Sequence, residues 1–359
     1  MSKLKFILFS VSYFLLFTLK SQQIEWINTY ELGGREVNFS IDYSQKENQY
    51  IYSAGTNVSS IFGKLNNMGD TSYLKERYSG SSEFGLWHLF ENFNQKSVLC
   101  KTFLIDTATL EQEQNITKFD YFGNIIWQTS YNIGYKDWFK KTLPLSDGGS
   151  LVTGYRGIPQ NDVYLVRVGG DGTIIFENQY YANGYQFTSD LDIHHDGSYW
   201  ICGSERPFTS WSGNGFMLKI DSEGDLIEKD TIPELIVGDT NGYIQYFSET
   251  PVKHLLCSWN GKDGYTLFKL DSNYNIIWQT PADYGTQHPV LLDNNKIFTY
   301  SGNVKLYDYT TGAEVWSESF PDVNGGNVGF NDHAFDDSGN VVLSARLFGA
   351  TNSDLYFTK

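Results

Sequence analysis

Short runs of alternating apolar and polar residues, each followed by a cluster of Asp, Asn or Gly, recur along the chain. The clearest copy, residues 117–127, reads TKFDYFGNIIW, which is an alternating run, a tight turn and a second run ending on an aromatic residue. Alternation with a period of two predicts half-buried strands, and Gly in the turn supplies the positive φ that a tight hairpin needs. The chain is therefore predicted to contain repeated antiparallel hairpins. Further copies lie at 165–176, 218–228, 268–278 and 305–316, with a weaker one at 63–73.

Two further strand-like runs precede the hairpin in each unit. The second strands of the units are predicted at seven places, namely 49–55, 97–102, 149–154, 197–203, 252–259, 296–302 and 340–345. The position of the hairpin aromatic recurs at intervals of 54, 49, 52, 50 and 38 residues, close to the roughly 40–50 residues of a propeller repeat. No break in composition separates the units. Residues 22–359 are therefore predicted to be one all-β domain, a seven-bladed β-propeller with four antiparallel strands per blade.

The two ends of the mature chain match complementary halves of the hairpin. Residues 24–30 resemble the fourth strand at 126–131, without a third strand before them, and residues 353–359 resemble the third strand at 161–167, without a fourth after them. Pairing these ends would complete a seventh blade and remove two exposed sheet edges. The alternative is an open, truncated array of repeats. We expect the ring to be closed by the N-terminal strand.

The first residues have the features of a targeting segment. Lys3 and Lys5 precede an apolar run at 6–19, and Ser21 supplies a small residue for cleavage. The run is shorter than the roughly 20 residues that span a bilayer. Residues 1–21 are therefore predicted to be a removable signal peptide, with no membrane span. The mature protein is expected to be secreted, periplasmic or attached at the cell surface.

Composition and charge narrow the classes of binding partner that are expected. Aromatic residues make up 16% of the chain and the formal net charge is −16. An acidic surface repels phosphate backbones, so neither nucleic acid nor anionic membrane is an expected partner. A glycan or a protein remains as the expected ligand, and the protein is expected to be a monomer.

One repeat carries a family resemblance. Residues 304–316, VKLYDYTTGAEVW, resemble the repeat of quinoprotein-like propellers, and the copies with Asp-Ser and Ile-Ile-Trp resemble repeats of exported Bacteroidetes-type propellers. The resemblance covers nearly the whole mature chain and implies fold rather than activity. Quinone-dependent relatives carry an adjacent Cys pair over the cofactor, whereas Cys100, Cys202 and Cys257 stand singly in apolar runs. No cofactor is therefore expected, and the three cysteines are predicted to be buried.

The charged clusters are predicted to be structural. His194, His195 and Asp196 lie where a first strand turns, and neighbouring strand residues point to opposite faces, so no metal site is expected there. The Asp and Asn residues of the hairpin turns are predicted to bond their own backbone rather than calcium. Four acids near the first strands, which line the channel, are predicted to bond neighbouring strands; these are Asp137, Asp190, Asp192 and Asp332.

The candidate ligand-binding surface lies on one face of the ring. Loops from second to third strands, and those between blades, open on this same face. Arg and aromatic residues in loops on a rigid scaffold are typical binding anchors. The loop at 205–215 is the strongest segment, although its rings could instead pack between blades. The candidate residues are Arg156, Glu205, Arg206, Trp211, Trp259 and Arg346.

Two functions follow from these features. The first is an exported, non-catalytic binding or scaffolding propeller that recognises a glycan, a peptide or an envelope protein through its loop-rich face. The alternative is a polysaccharide lyase or glycosidase-type enzyme with acidic residues at the channel mouth. Catalytic residues are not identifiable from the sequence, and a structural repeat unit without a ligand is a third hypothesis.

Overall fold

Every regular element that the computed structural model describes is a β-strand. The first strand, β1, spans Ile27–Tyr30. No helix among the described residues has the length and apolar character needed to cross a membrane. The predicted signal peptide lies outside the described residues. The structure describes 27–30, 37–45, 47–55, 59–78, 83–92, 97–105, 112–120, 122, 124–131, 138–156, 161–182, 184–209, 214–231, 243–261, 264–292, 295–319, 327–348 and 353–358.

The described strands form seven four-stranded antiparallel sheets, which we call blades I to VII in chain order. Blade I contains β2 (Val37–Ser44), β3 (Gln49–Gly55), β4 (Ser59–Leu65) and β5 (Thr71–Tyr78). Blade II contains β6 (Glu83–Asn92), β7 (Ser97–Ile105), β8 (Gln112–Asp120) and β9 (Ile125–Tyr131). Blade III contains β10 (Trp138–Pro144), β11 (Ser150–Arg156), β12 (Asp162–Val168) and β13 (Ile174–Tyr180).

The remaining blades follow the same order of strands. Blade IV contains β14 (Gly184–Ile193), β15 (Tyr199–Pro207), β16 (Asn214–Ile220) and β17 (Leu226–Thr231). Blade V contains β18 (Tyr243–Glu249), β19 (Leu255–Gly261), β20 (Gly264–Leu270) and β21 (Ile276–Ala282). Blade VI contains β22 (Gln287–Leu292), β23 (Lys296–Tyr300), β24 (Asn303–Asp308) and β25 (Glu314–Ser319). Blade VII contains β26 (Asn327–Phe335), β27 (Val341–Phe348), β28 (Ser353–Thr358) and β1.

The two ends of the described chain share blade VII. Strand β1 pairs antiparallel with β28, with Ile27 opposite Thr358 and Tyr30 opposite Leu355. The predicted pairing of the N-terminal and C-terminal strands is thereby confirmed. Blade VII also packs on blade I, because Ala334 belongs to the same buried apolar cluster as Tyr52. Both end strands of the described chain are therefore hydrogen-bonded within blade VII, and neither is left unpaired.

The apolar core lies between neighbouring blades. Leu165 of blade III and Ile201 of blade IV belong to one buried cluster, and Cys202 of blade IV and Cys257 of blade V belong to the next. Both cysteines are buried, as predicted. Each blade therefore depends on its neighbours for burial of its apolar faces, as expected for a repeat fold.

A contact of the same kind joins the hairpins of blades II and V to the blade that follows each of them. The indole nitrogen of Trp278 donates to the carbonyl of Tyr309, 3.0 Å away, and the ring lies against Gly312. Trp127 does the same with Gly170, at 2.9 Å, and packs on Gly172. Both turn glycines have positive φ, and a Cβ on Gly312 would lie 2.6 Å from the Trp278 ring. The recurring aromatic and Gly of the sequence are thus two halves of one contact between blades.

The hairpin turns also follow the predicted chemistry. Oδ1 of Asp221 accepts hydrogen bonds from the backbone N–H groups of Glu223, at 3.0 Å, and Asp225, at 2.8 Å. Asp271 and Asp336 make the same pair of bonds two and four residues ahead. These carboxylates therefore organise their own turns, as the sequence predicted.

Antiparallel order gives the propeller two unlike faces. Turns between first and second strands and between third and fourth strands open on one face, which we call the hairpin face. Loops between second and third strands, and the connections between blades, open on the other, which we call the loop face.

Candidate functional site

The loop face of blade IV carries an aromatic cluster around Arg206. The guanidinium carbon lies 5.3 Å from the ring centroid of Tyr185 and 5.2 Å from that of Phe187. Phe208 packs edge-on against Tyr185, with 5.0 Å between centroids, and is 49% exposed. We call these four residues the Arg206 cluster. It combines a held guanidinium with an accessible ring, the side chains that dominate protein interfaces.

Glu205, next to this cluster, serves the structure. Its carboxylate pairs with the ammonium of Lys229 and accepts from Nε2 of Gln186 at 3.2 Å. The other end of the Gln186 side chain accepts from the backbone N–H of Val163 in blade III, also at 3.2 Å. Glu205 therefore helps to join two blades, and its charge is already compensated.

Trp259, another of the predicted residues, does not belong to this cluster. Trp259 is 5% exposed and belongs to the core between blades IV and V. It lies so close to Gly215 that a Cβ there would meet its ring at 2.7 Å. Arg156 ends β11, opposite Asp162, and Arg346 lies in β27, opposite Leu355. Trp211 lies outside the described residues.

The sequence reasoning missed a second cluster, on the hairpin face. Nε2 of His194 lies 2.9 Å, and Nδ1 of His195 lies 2.7 Å, from Oε1 of Glu249 in blade V. The argument that adjacent side chains must diverge was wrong here, because β14 ends at Ile193 and both histidines belong to the following turn. That turn closes through the His194 N–H to the Ser198 carbonyl at 2.8 Å. Both rings consequently reach one carboxylate.

A second layer of contacts holds His194. Its ring stacks on Trp200 with 4.5 Å between centroids and 6° between planes. Its Nδ1 lies 2.8 Å from Oδ1 of Asp196, close but poorly aligned for a hydrogen bond. Asp196 accepts from Ser198 Oγ at 2.5 Å and from Lys219 Nζ at 2.7 Å. Burial would raise the pKa of the Asp196 carboxyl, but the bonds from Lys219 and Ser198 hold it well below its usual range.

The cluster opens into a cleft between blades IV and V. The cleft has a volume of about 450 Å³. His195 is the accessible member, with 42% of its side chain exposed, whereas His194 and Glu249 are each 11% exposed. Three ligand atoms of His194, His195 and Glu249 lie within 4.8 Å of one another. Other lining residues are Trp200, Lys219, Glu228, Lys253 and Tyr274.

Two of the predicted channel acids, Asp190 and Asp332, bond neighbouring strands, as predicted. Oδ2 of Asp190 accepts from the backbone N–H of Phe247 at 3.2 Å, and Oδ1 lies 3.4 Å from Lys141 Nζ. Oδ2 of Asp332 accepts from Ser40 Oγ at 2.6 Å and from the N–H of Ile41 at 3.1 Å. Each carboxylate joins the first strands of two blades. Asp137 lies outside the described residues.

Asp192 is the described channel acid that differs most from its neighbours. Burial, reinforced by the charge of Asp190, raises the pKa of the Asp192 carboxyl to about 6. It lies near the end of β14, close to the hairpin-face cluster, and its Oδ1 accepts from the N–H of Ile193 at 2.8 Å. A carboxyl of this pKa can exchange protons near neutral pH.

Comparisons with known proteins support the fold alone. No protein-family model and no curated protein matches the chain. A solved chain of the mitotic checkpoint complex has a TM-score of 0.59 and 10% identity, over 100% of this chain and 98% of that one. Streptogramin B lyase gives 0.52 and 11%, over 93% and 98%. The Neurospora crassa Pan2 WD40 domain gives 0.55 and 10%, over 90% and 89%. The chain has a β-propeller fold with four-stranded antiparallel blades.

Proposed function

We propose that this chain is an exported, non-catalytic binding protein that captures a protein or peptide partner on its loop face. We further propose one domain, residues 22–359, of seven blades in a closed ring, formed after removal of a leader at 1–21. The sheet pairing of β1 with β28 and the packing of blade VII on blade I support this architecture. The Arg206 cluster is the observation that carries the binding role.

The chemistry of the cluster favours a partner over a substrate. The Arg206 guanidinium already packs on Tyr185 and Phe187, so its side chain loses little conformational freedom when a partner binds. The entropic cost of binding is therefore smaller. The exposed ring of Phe208 supplies apolar area beside it. By contrast, the carboxylates of Asp190 and Asp332 already accept hydrogen bonds from neighbouring blades. Exposed Tyr181 and Tyr284, 72% and 87% exposed, extend the aromatic character of this face.

A peptide and glycan array probed with the mature protein tests this function. Hits should weaken on Arg206→Ala and Phe208→Ala. Matched controls lie on the hairpin face: Arg167→Ala removes a guanidinium paired with Asp147 at 3.0 Å, and Phe122→Ala removes a ring that is 65% exposed. Hits that survive both cluster variants would disprove the proposed surface, and glycan hits alone would change the class of partner.

One observation favours the enzymatic alternative. Asp192 has a pKa of about 6 and neighbours the cleft that holds Glu249. General acid–base catalysis needs a carboxyl of this kind. If the protein cleaves polysaccharide, wild type should release reducing or unsaturated ends from a substrate panel, and Asp192→Asn should not. No turnover of any member of the panel by wild type would remove this alternative.

A further inference from the structure

We infer that His194, His195 and Glu249 form a binding site for a divalent transition-metal ion, with Zn²⁺ as the best match. The site lies on the hairpin face, opposite the Arg206 cluster, and does not depend on the proposed binding role. Two imidazole nitrogens and one carboxylate oxygen are a ligand set that zinc takes in open sites, where a fourth position is left to a small molecule.

The two histidine rings converge on one carboxylate oxygen. The nearest nitrogens of His194 and His195 lie 2.9 and 2.7 Å from the same oxygen, Oε1 of Glu249. Ligands of a tetrahedral ion with bonds of roughly 2.0–2.1 Å stand somewhat over 3 Å apart. A small outward movement of the exposed His195 ring would therefore admit the ion. The other carboxylate oxygen, Oε2, accepts from the backbone N–H of His195 at 2.9 Å, which fixes the carboxylate and directs Oε1 at the rings.

Both ring nitrogens of His194 lie close to a carboxylate. Its Nε2 lies 2.9 Å from Oε1 of Glu249, and its Nδ1 lies 2.8 Å from Oδ1 of Asp196. A cation bound at Nε2 and shared with Glu249 would leave the single N–H of the neutral ring at Nδ1, on the side of Asp196.

Residues around His194 support its ring in a metal-binding position. Metal-bound histidines usually direct the other ring nitrogen at a carboxylate, which fixes the tautomer and the ring. Oδ1 of Asp196 lies 2.8 Å from Nδ1 of His194, within reach of such a contact once the ring turns, and Asp196 is itself held by Ser198 and Lys219. Trp200, stacked on His194, sets the plane of the ring. The cleft beyond His195 leaves room for a fourth ligand, near the ammonium groups of Lys219 and Lys253.

Zinc titration of the tag-free, chelator-treated mature protein, followed by calorimetry, tests the site. Wild type should bind one equivalent. His195→Ala and Glu249→Gln should weaken zinc binding by more than about 100-fold, because losing even a second-layer partner costs roughly 10–100-fold. Asp196→Asn should fall within that smaller range. His254→Ala is the matched control: its ring contacts Tyr309, not the cluster, and zinc affinity should not change.

Two outcomes would overturn the site. The first is wild type that takes up no stoichiometric zinc. The second is equal zinc binding by wild type, His195→Ala and Glu249→Gln. Loss of binding through misfolding is excluded by circular dichroism of each variant without metal. Co²⁺ in place of zinc gives an independent signal, a visible absorption band that the same two variants should lose.

Discussion

The hairpin face and the loop face of blades IV and V hold their functional side chains in different ways. On the hairpin face a short turn places His194 and His195 against Glu249, and Asp196 and Trp200 fix the arrangement. On the loop face Arg206 rests on rings, and Phe208 remains 49% exposed. Short closed turns therefore suit a site for a small ion, while the looser aromatic surface suits a larger partner.

The contact between hairpins and neighbouring blades should have the largest effect on stability. Trp278 is buried, packs on Gly312 and donates to Tyr309. We expect Trp278→Ala to lower the free energy of unfolding by about 3–5 kcal/mol, through lost burial and the cavity it leaves. Urea unfolding measures this change. Phe122→Ala, an exposed ring on the same face, should cost less than about 0.5 kcal/mol. Equal losses of unfolding free energy in the two variants would show that the Trp278 contact does not stabilise the hairpin face.

Zinc should raise the free energy of unfolding through the hairpin-face cluster, and this effect should not depend on the Arg206 cluster. At a free zinc concentration 100 times Kd, mass action predicts about 2.7 kcal/mol of stabilisation for the wild type. The same shift is expected for Arg206→Ala, and less than about 0.4 kcal/mol for Glu249→Gln, because its Kd should be more than about 100 times higher. Thermal unfolding with and without zinc measures it. A zinc-induced shift that persists in Glu249→Gln would place the bound metal elsewhere.

Unlike zinc binding, the binding of a peptide partner should depend on Arg206. Arg206→Ala should weaken binding of a peptide found on the array by about 2 kcal/mol, the usual threshold for a dominant interface residue. Arg206→Lys should recover only part of this, because an ammonium does not stack on Tyr185 and Phe187 as a planar guanidinium does. Fluorescence anisotropy with the labelled peptide measures both. Unchanged affinity in Arg206→Ala would remove the cluster from the interface.

The smallest expected effect is the pH dependence that Asp192 contributes. Its pKa of about 6 in the folded state lies above the ordinary aspartate value of 3.8, so the folded protein holds this proton more tightly. Its contribution to stability should therefore fall as pH rises from about 4 to 6 and stay level above. Unfolding of wild type and Asp192→Asn at pH 4.5 and pH 7 should differ in pH response by roughly 1–2 kcal/mol. Parallel responses would show that the carboxyl has an ordinary pKa.

The fold could be predicted from the sequence because its contacts repeat. Trp127, Gly172, Trp278 and Gly312 recur because each pair makes one contact between blades, and a repeated contact leaves a periodic record. The pairing of β1 with β28 was predictable for the same reason, since each end matches a known half of the hairpin. The Asp residues of the turns were also predictable, because their hydrogen bonds span only two to four residues.

The sites were harder to predict because they depend on contacts between blades. Glu249 lies more than 50 residues from His194 in sequence, and only the packing of blade V on blade IV joins them. The end of β14 at Ile193 decided whether two adjacent histidines diverge or converge. The ends of strands are the part of an element that a sequence predicts least well. Trp259 was equally ambiguous, because an aromatic beside a loop can face solvent or, as here, cover Gly215.

Zinc titration of three proteins side by side tests most directly whether the two faces act separately. Wild type and Arg206→Ala should each take up one zinc ion with the same affinity, whereas Glu249→Gln should bind zinc more than about 100-fold more weakly. Zinc uptake by Glu249→Gln equal to that of wild type, or its loss in Arg206→Ala, would contradict the separation of the faces.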